Sequence, residues 1–217
     1  IDEVEQQGLE AWFEDQLKAR QDEPRTLQSQ LDALESLTLT NQEIVQKYNP
    51  PIPAELSNLA RLTPEQRKER ARLMALKEIP RRELKDAVVL LAISSPNRVR
   101  EAVCDFWRNH FNIDVSKGTV RYYATTYERD VIRYDAMGTF KSMLNRQARH
   151  PAMLVYLDNF ISRAIPDKEL MDAARKAYVE TRDYGTVLEA IDIAKQKGLN
   201  ENYGRELMEL HTLGGDN

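Results

Sequence analysis

Apolar residues return every three or four positions along almost the whole 217-residue chain, and that rhythm constrains its fold more than any other feature. Val4, Leu9, Trp12, Phe13 and Leu17 form one such stripe, with Glu and Gln on the opposite side. The stripe breaks at residues 21–24, and Leu27, Leu31, Leu34 and Leu37 carry a second helix. Thr40 can cap a third, because Glu43 stands three residues on, as a capping box requires. Pro50, Pro51 and Pro53 exclude helix over 49–53 and mark one place where the chain could subdivide. Thr63, Pro64 and Gln66 make a second helix start of the capping-box kind, for a helix running to about Glu78. Pro80 opens another through Ser94, whose apolar run over 87–93 predicts burial on most sides. Helices follow over 99–111, 137–149, 151–161, 170–178, 186–197 and 202–213, with His150-Pro151 as a break, since a residue before proline leaves helical space. Over 121–134 the periodicity does not choose between helix and strand, so a small β element near 119–125 stays open. The expectation is an all-α fold, an irregular multi-helix domain with helix in more than half of its residues.

Composition narrows the function classes. Lys and Arg number 31 against 35 Asp and Glu, a net charge of −4, and a general nucleic-acid grip would want the opposite sign. The Arg-rich stretch 67–72 therefore reads as a solvated helix face. One cysteine, Cys104, excludes an internal disulfide framework and a cysteine-based zinc cluster. No apolar run approaches the roughly 18 residues of a membrane span. The chain begins at Ile1 already in helical rhythm and ends on a helix stop at Gly214-Gly215, so both ends read as those of a fragment.

Candidate chemistry gathers in two places. His110 follows Phe106 and Trp107 by four and three residues, on the apolar face of its helix, where a histidine is either a hydrogen-bonded core residue or a ligand. His150, at its helix junction, suits a backbone partner. On the last helix, at 100° per residue, Asn202, Arg205, Glu206, Glu209 and Thr212 share one face, while Tyr203, Leu207, Leu210 and His211 share the other. Two carboxylates beside an arginine suit acid–base work, a hard cation, or an ordinary ion-pair row. Glu206 and His211 stand five apart, which is not the spacing of a helical zinc site. Phosphate-loop, dinucleotide, nucleophile-elbow and EF-hand templates are absent.

Four blocks in order carry a family resemblance: Phe106-Trp107-Arg108-Asn109-His110-Phe111; Ile132-Arg133 with Gly138-Thr139-Phe140; His150-Pro151-Ala152-Met153-Leu154-Val155-Tyr156-Leu157-Asp158-Asn159; and residues 200–214, NENYGRELMELHTLG. Together with the early Gly8, Trp12, Gln16 and Leu17 they resemble the bacterial family catalogued as domain of unknown function 1800. The resemblance covers most of the chain. It implies an exported, extracytoplasmic protein, often encoded beside a sulfatase-like partner, with no assigned reaction and no known cofactor. Gly204 stands where the family usually has alanine, a change expected to loosen the helix by roughly 1 kcal/mol. Residues 160–199 read as a helical insertion, and by the resemblance the chain is expected to lack the family's second half, beyond the last motif.

Two readings of function follow. In the first, the two motif helices face each other around a polar ligand or metal, with Arg108, Asn109, His110, Asn200, Asn202, Tyr203, Arg205, Glu206, Glu209 and His211 as candidate binding residues and His110, Glu206 and His211 as candidate metal ligands. In the second, the chain is a non-catalytic structural or assembly module whose motif residues tie helices together. A third, nucleic-acid binding, is disfavoured by the net charge. Tyr203, Leu207, Leu210 and Leu213 are expected to leave an apolar patch, covered by the absent second half or by another chain.

Overall fold

The computed structural model of the chain describes residues 2–18, 22–162, 167–196 and 200–214. Among these residues every regular element is helical, including the stretch where strand stood open: Val120–Tyr122 is a 3-10 turn and Ala124–Tyr127 an α-helix. The chain divides into two compact units, Ile1–Ala152 and Met153–Asn217. The proline-rich stretch 49–53 lies inside the first.

The first unit is organised on the Ile79–Ser94 helix, which touches Arg25–Asp32, Asn41–Tyr48, Pro64–Lys77, Arg98–His110 and Ala124–Tyr127. Both capping boxes are formed. Glu43 N–H donates to Thr40 Oγ1 at 3.3 Å while Thr40 N–H donates to Glu43 Oε2 at 2.8 Å. Gln66 N–H and Thr63 exchange the same pair at 3.2 and 2.9 Å. These contacts satisfy helix-start donors that would otherwise be orphaned.

Two expectations need correction. The 4–17 stripe is two helices, Asp2–Gln7 and Leu9–Lys18, joined at Gly8 with φ of 86°, a conformation that costs glycine nothing. Gln16 anchors the second of them: its side-chain amide donates to Pro96 O at 3.1 Å, and its oxygen accepts from Val99 N–H at 3.3 Å. The 87–93 run, in turn, is not buried on most sides. Ala87 and Leu91 are buried, but Val89 and Ile93 are 54% and 67% exposed.

The Ala124–Tyr127 helix runs directly into a π turn, Glu128–Ile132, and then Arg133–Asp135. Arg133 N–H donates to Glu128 O, five residues back. In an α-helix, residues five apart diverge by about 140°. The wider turn returns Glu128 and Arg133 to one side, where they stand 4.0 Å apart.

In the second unit, Asp167–Thr181 and Tyr184–Gln196 pack on each other within the 160–199 stretch. Asp183 caps the second helix, accepting from the N–H and hydroxyl of Thr186 at 2.9 and 2.8 Å. The last helix begins as α at Asn202–Glu206 and becomes π over Leu207–Leu213. The two faces drawn at 100° per residue therefore do not persist: His211 is buried, while Leu210, Leu213 and Met208 are exposed. Gly214 ends the helix at φ 87° and ψ 156°, a region open essentially to glycine alone. Gly215 lies outside the described residues. No helix among the described residues is long and apolar enough to cross a membrane.

Candidate functional site

The first motif sits at the end of the Arg98–His110 helix, and its residues point in several directions. Trp107 donates through Nε1 to Ala136 O at 3.1 Å. Its ring joins those of Phe106, His110, Phe111 and Phe140, with centroids 4.6–6.1 Å apart. His110 is thus half-buried in an aromatic cluster. Asn109 is exposed, and its amide donates to Asp105 O of its own helix at 2.9 Å.

Arg108 points the other way, into a chain of charges. Its Nε and Nη2 bond both oxygens of Glu128 at 3.0 Å each, and Nη1 reaches Asp105 at 2.8 Å. Beyond Glu128 stands Arg133, which grips both oxygens of Glu101 at 2.7 and 2.6 Å. Arg100 also donates to the carbonyl of Arg133. The order Arg108, Glu128, Arg133, Glu101 alternates in sign and crosses twice between the Arg98–His110 helix and the stretch from the π turn to Arg133. Burial alone would lower the Arg133 pKa, but the hydrogen bonds and charge of Glu101 outweigh it and raise it. Cys104, fully buried beside this chain, is pushed by burial to about 11, so its thiol stays protonated and unreactive.

Glu101, Glu128 and Arg133 were not singled out as site residues. Glu101, Cys104 and Arg108 follow one another by three and four residues on one helix face, which was the available signal. The Glu128–Arg133 pairing gave none, because it exists only across a π turn.

His150 takes the backbone partner its junction suggests: Nδ1 accepts from Ala152 N–H at 3.2 Å, and the ring lies 5.3 Å from Tyr127. Burial lowers its pKa from 6.5 to about 4, with Asp130 opposing and Arg129 assisting. Above about pH 6.5 the imidazole is neutral in folded and unfolded chains alike. Between 6.5 and about 4 only the unfolded chain takes up the proton, so stability falls as pH drops through that window, by at most about 3 kcal/mol. Denaturant titrations of wild type and His150→Gln across pH 4–7 check this; the variant is expected to lose that part of the slope, and identical slopes contradict it.

Two hollows adjoin these elements. An open cleft of about 800 Å³ is lined by Asp130, Thr139, Lys141, Ser142, Asn145, Arg146, Arg149 and His150. Its Arg146 is held by Asp135 at 2.7 Å, and Asp130 by Arg129 at 2.7 Å. A second, less open cavity of about 380 Å³ is lined in part by Tyr127 and Glu128. Leu84, Val88, Phe111, Ile113, Val115 and Ala124 line it, with Arg81, Lys85, Arg108 and Glu128 as its charged groups.

In the second unit the blocks around Asp158 and Asn200 come together. Asn200 Nδ2 donates to Asp158 O at 3.2 Å, Asn200 N–H donates to Ser162 Oγ at 3.0 Å, and Asn202 N–H donates to Asn200 Oδ1 at 3.0 Å. Asp158 holds φ of 57°, a left-handed conformation that asparagine and aspartate tolerate best after glycine. The rings of Tyr203 and buried His211 lie 6.1 Å apart. Arg205 and Glu209 are exposed and Glu206 half-buried. A Cβ on Gly204 meets nothing within 4 Å, so no neighbour requires glycine. Gly204→Ala is expected to stabilise the second unit by up to about 1 kcal/mol in thermal unfolding, and a lowered midpoint contradicts this.

Arg108, Asn109 and His110 thus belong to the first unit, and Asn200, Asn202, Tyr203, Arg205, Glu206, Glu209 and His211 to the second. Among the described residues no three of His, Cys, Asp and Glu come together as metal ligands, so the candidate ligands His110, Glu206 and His211 belong to no such group. The chain belongs to the family described as protein of unknown function (DUF1800), whose model matches residues 1–217. No curated protein and no solved structure matches it.

Proposed function

We propose that the chain is a non-catalytic helical module in which the motif residues hold elements in register. The observation that carries this is the commitment of Arg108, the most strongly charged residue of the first motif. Three of its guanidinium bonds end on Glu128 and Asp105, which leaves little for a ligand. Asn200 acts alike in the second unit, bridging the backbone of Asp158 to the start of the last helix.

The test contrasts neighbours within one motif. Arg108→Met strands Glu128, whose side chain is 10% exposed, and is expected to cost about 1–3 kcal/mol in chemical denaturation. Asn109→Ala removes one exposed bond and is expected to cost under about 0.5 kcal/mol. Equal costs at the two positions contradict the proposal.

A polar-ligand role has one supporting observation, in the second unit. Arg205, Glu206 and Glu209 make no ion pair among the described residues. A thermal shift with a divalent cation or an oxyanion, abolished by Glu206→Gln or Arg205→Met, supports that role. No shift with any of them removes it. The extracytoplasmic location remains part of the proposal, and fractionation of the native host tests it: recovery in the cytoplasm contradicts it.

A further inference from the structure

The smaller, apolar cavity of the first unit has a chemistry that the helix-tying role leaves unused. Its volume of about 380 Å³ lies at the small end of the range typical of ligand cavities, roughly 300–1,000 Å³. Its wall is aliphatic and aromatic, from Leu84 and Val88 on the Ile79–Ser94 helix, Phe111 and Ile113 just beyond the Arg98–His110 helix, and Ala124. Such a wall attracts a hydrocarbon group and gives it no polar partner.

The charged groups of the cavity are not equivalent. Arg81 is held by Glu78 at 2.7 Å, and Arg108 by Glu128 and Asp105. The carboxylate of Glu128 is satisfied in turn by both bonds from Arg108 and by Arg133 4.0 Å away, so it presents little negative field to the cavity. Lys85 differs from all of these. It is exposed, lines the cavity one turn from Val88 and Val89, and pairs with no carboxylate among the described residues. Its flexible stem can bring a point charge to the mouth of the cavity.

We propose that this cavity binds a small apolar molecule carrying one carboxylate, a medium-chain alkanoate in size and shape, with the tail among Leu84, Val88, Phe111 and Ala124 and the carboxylate at Lys85. The inference stands independently of the helix-tying role, since it uses none of the bonds that Arg108 makes.

Calorimetric titration of the full chain with hexanoate, octanoate, octanol and octylamine tests it. Octanoate is expected to bind one to one, about tenfold or more tighter than hexanoate, because each buried methylene is worth roughly a factor of four. Octanol and octylamine are expected to bind more weakly than octanoate. Lys85→Met, at an exposed position that the fold does not need, is expected to erase the preference for octanoate over octanol while keeping the dependence on chain length. Val88→Trp fills the cavity and is expected to abolish binding with the helical circular dichroism intact. Absence of octanoate binding to the wild type overturns the proposal. So does equal binding of octylamine, or a preference for octanoate that survives in Lys85→Met. If Val88→Trp fails to fold, the Lys85→Met comparison decides alone.

Discussion

Arg133→Met is expected to destabilise the first unit by about 3–5 kcal/mol, the cost of breaking a buried ion pair from one side. The reason lies in what it leaves behind. Glu101 is 8% exposed at its side chain, and both its oxygens are held by Arg133 at 2.6 and 2.7 Å. Without the guanidinium, that carboxylate must stay charged in a poor solvent or take up a proton. Glu128, 4.0 Å from Arg133, loses a neighbouring positive charge at the same time. Removing both partners has a different outcome. Arg133→Met combined with Glu101→Met replaces the pair with apolar groups of similar length and is expected to recover much of the loss, because a buried pair contributes little beyond its own desolvation. Urea denaturation of the single and double variants separates the cases. A single variant costing under about 1 kcal/mol shows that the pair is solvated in solution and not buried.

Phe111→Ala is expected to cost a similar amount, about 3–5 kcal/mol, for an apolar reason. Phe111 is fully buried, and its ring lies 5.8 Å from Trp107, 5.9 Å from Phe140 and 4.6 Å from His110. It also walls the 380 Å³ cavity, so truncation enlarges an existing void. The backbone carbonyl of Phe111 still accepts from Tyr127 Oη at 3.0 Å, so the loss is one of packing and not of hydrogen bonding. Thermal unfolding of Phe111→Ala and Phe111→Leu checks this. The leucine variant is expected to retain more than half of the stability that alanine loses, and equal losses contradict a packing origin.

The helical class, the two capping boxes and the breaks at proline were legible because each depends on residues a few positions apart. Thr40 with Glu43 and Thr63 with Gln66 are complete instructions within four residues. The two π turns were not legible, since periodicity arguments assume 3.6 residues per turn. That assumption put Leu210 with His211 on one packed face; in the structure His211 is buried and Leu210 is 62% exposed. It also hid the pairing of Glu128 with Arg133, and so the connection from Arg108 to Glu101. At the first motif the sequence gave Arg108, Asn109 and His110 similar weight. Their roles separate only in three dimensions: one is held in ion pairs, one is exposed, and one lies among aromatic rings.

The claim that the first motif holds elements together is tested most directly by a double-mutant cycle on Arg108 and Glu128. Urea denaturation of wild type, Arg108→Met, Glu128→Met and the double variant yields their coupling energy. The bidentate geometry at 3.0 Å and the burial of Glu128 lead to an expected coupling of about 1–3 kcal/mol, with the double variant more stable than the sum of the single losses allows. Losses that add to within about 0.3 kcal/mol would show that Arg108 does not tie the helix to the π turn, and the account would be wrong at its centre.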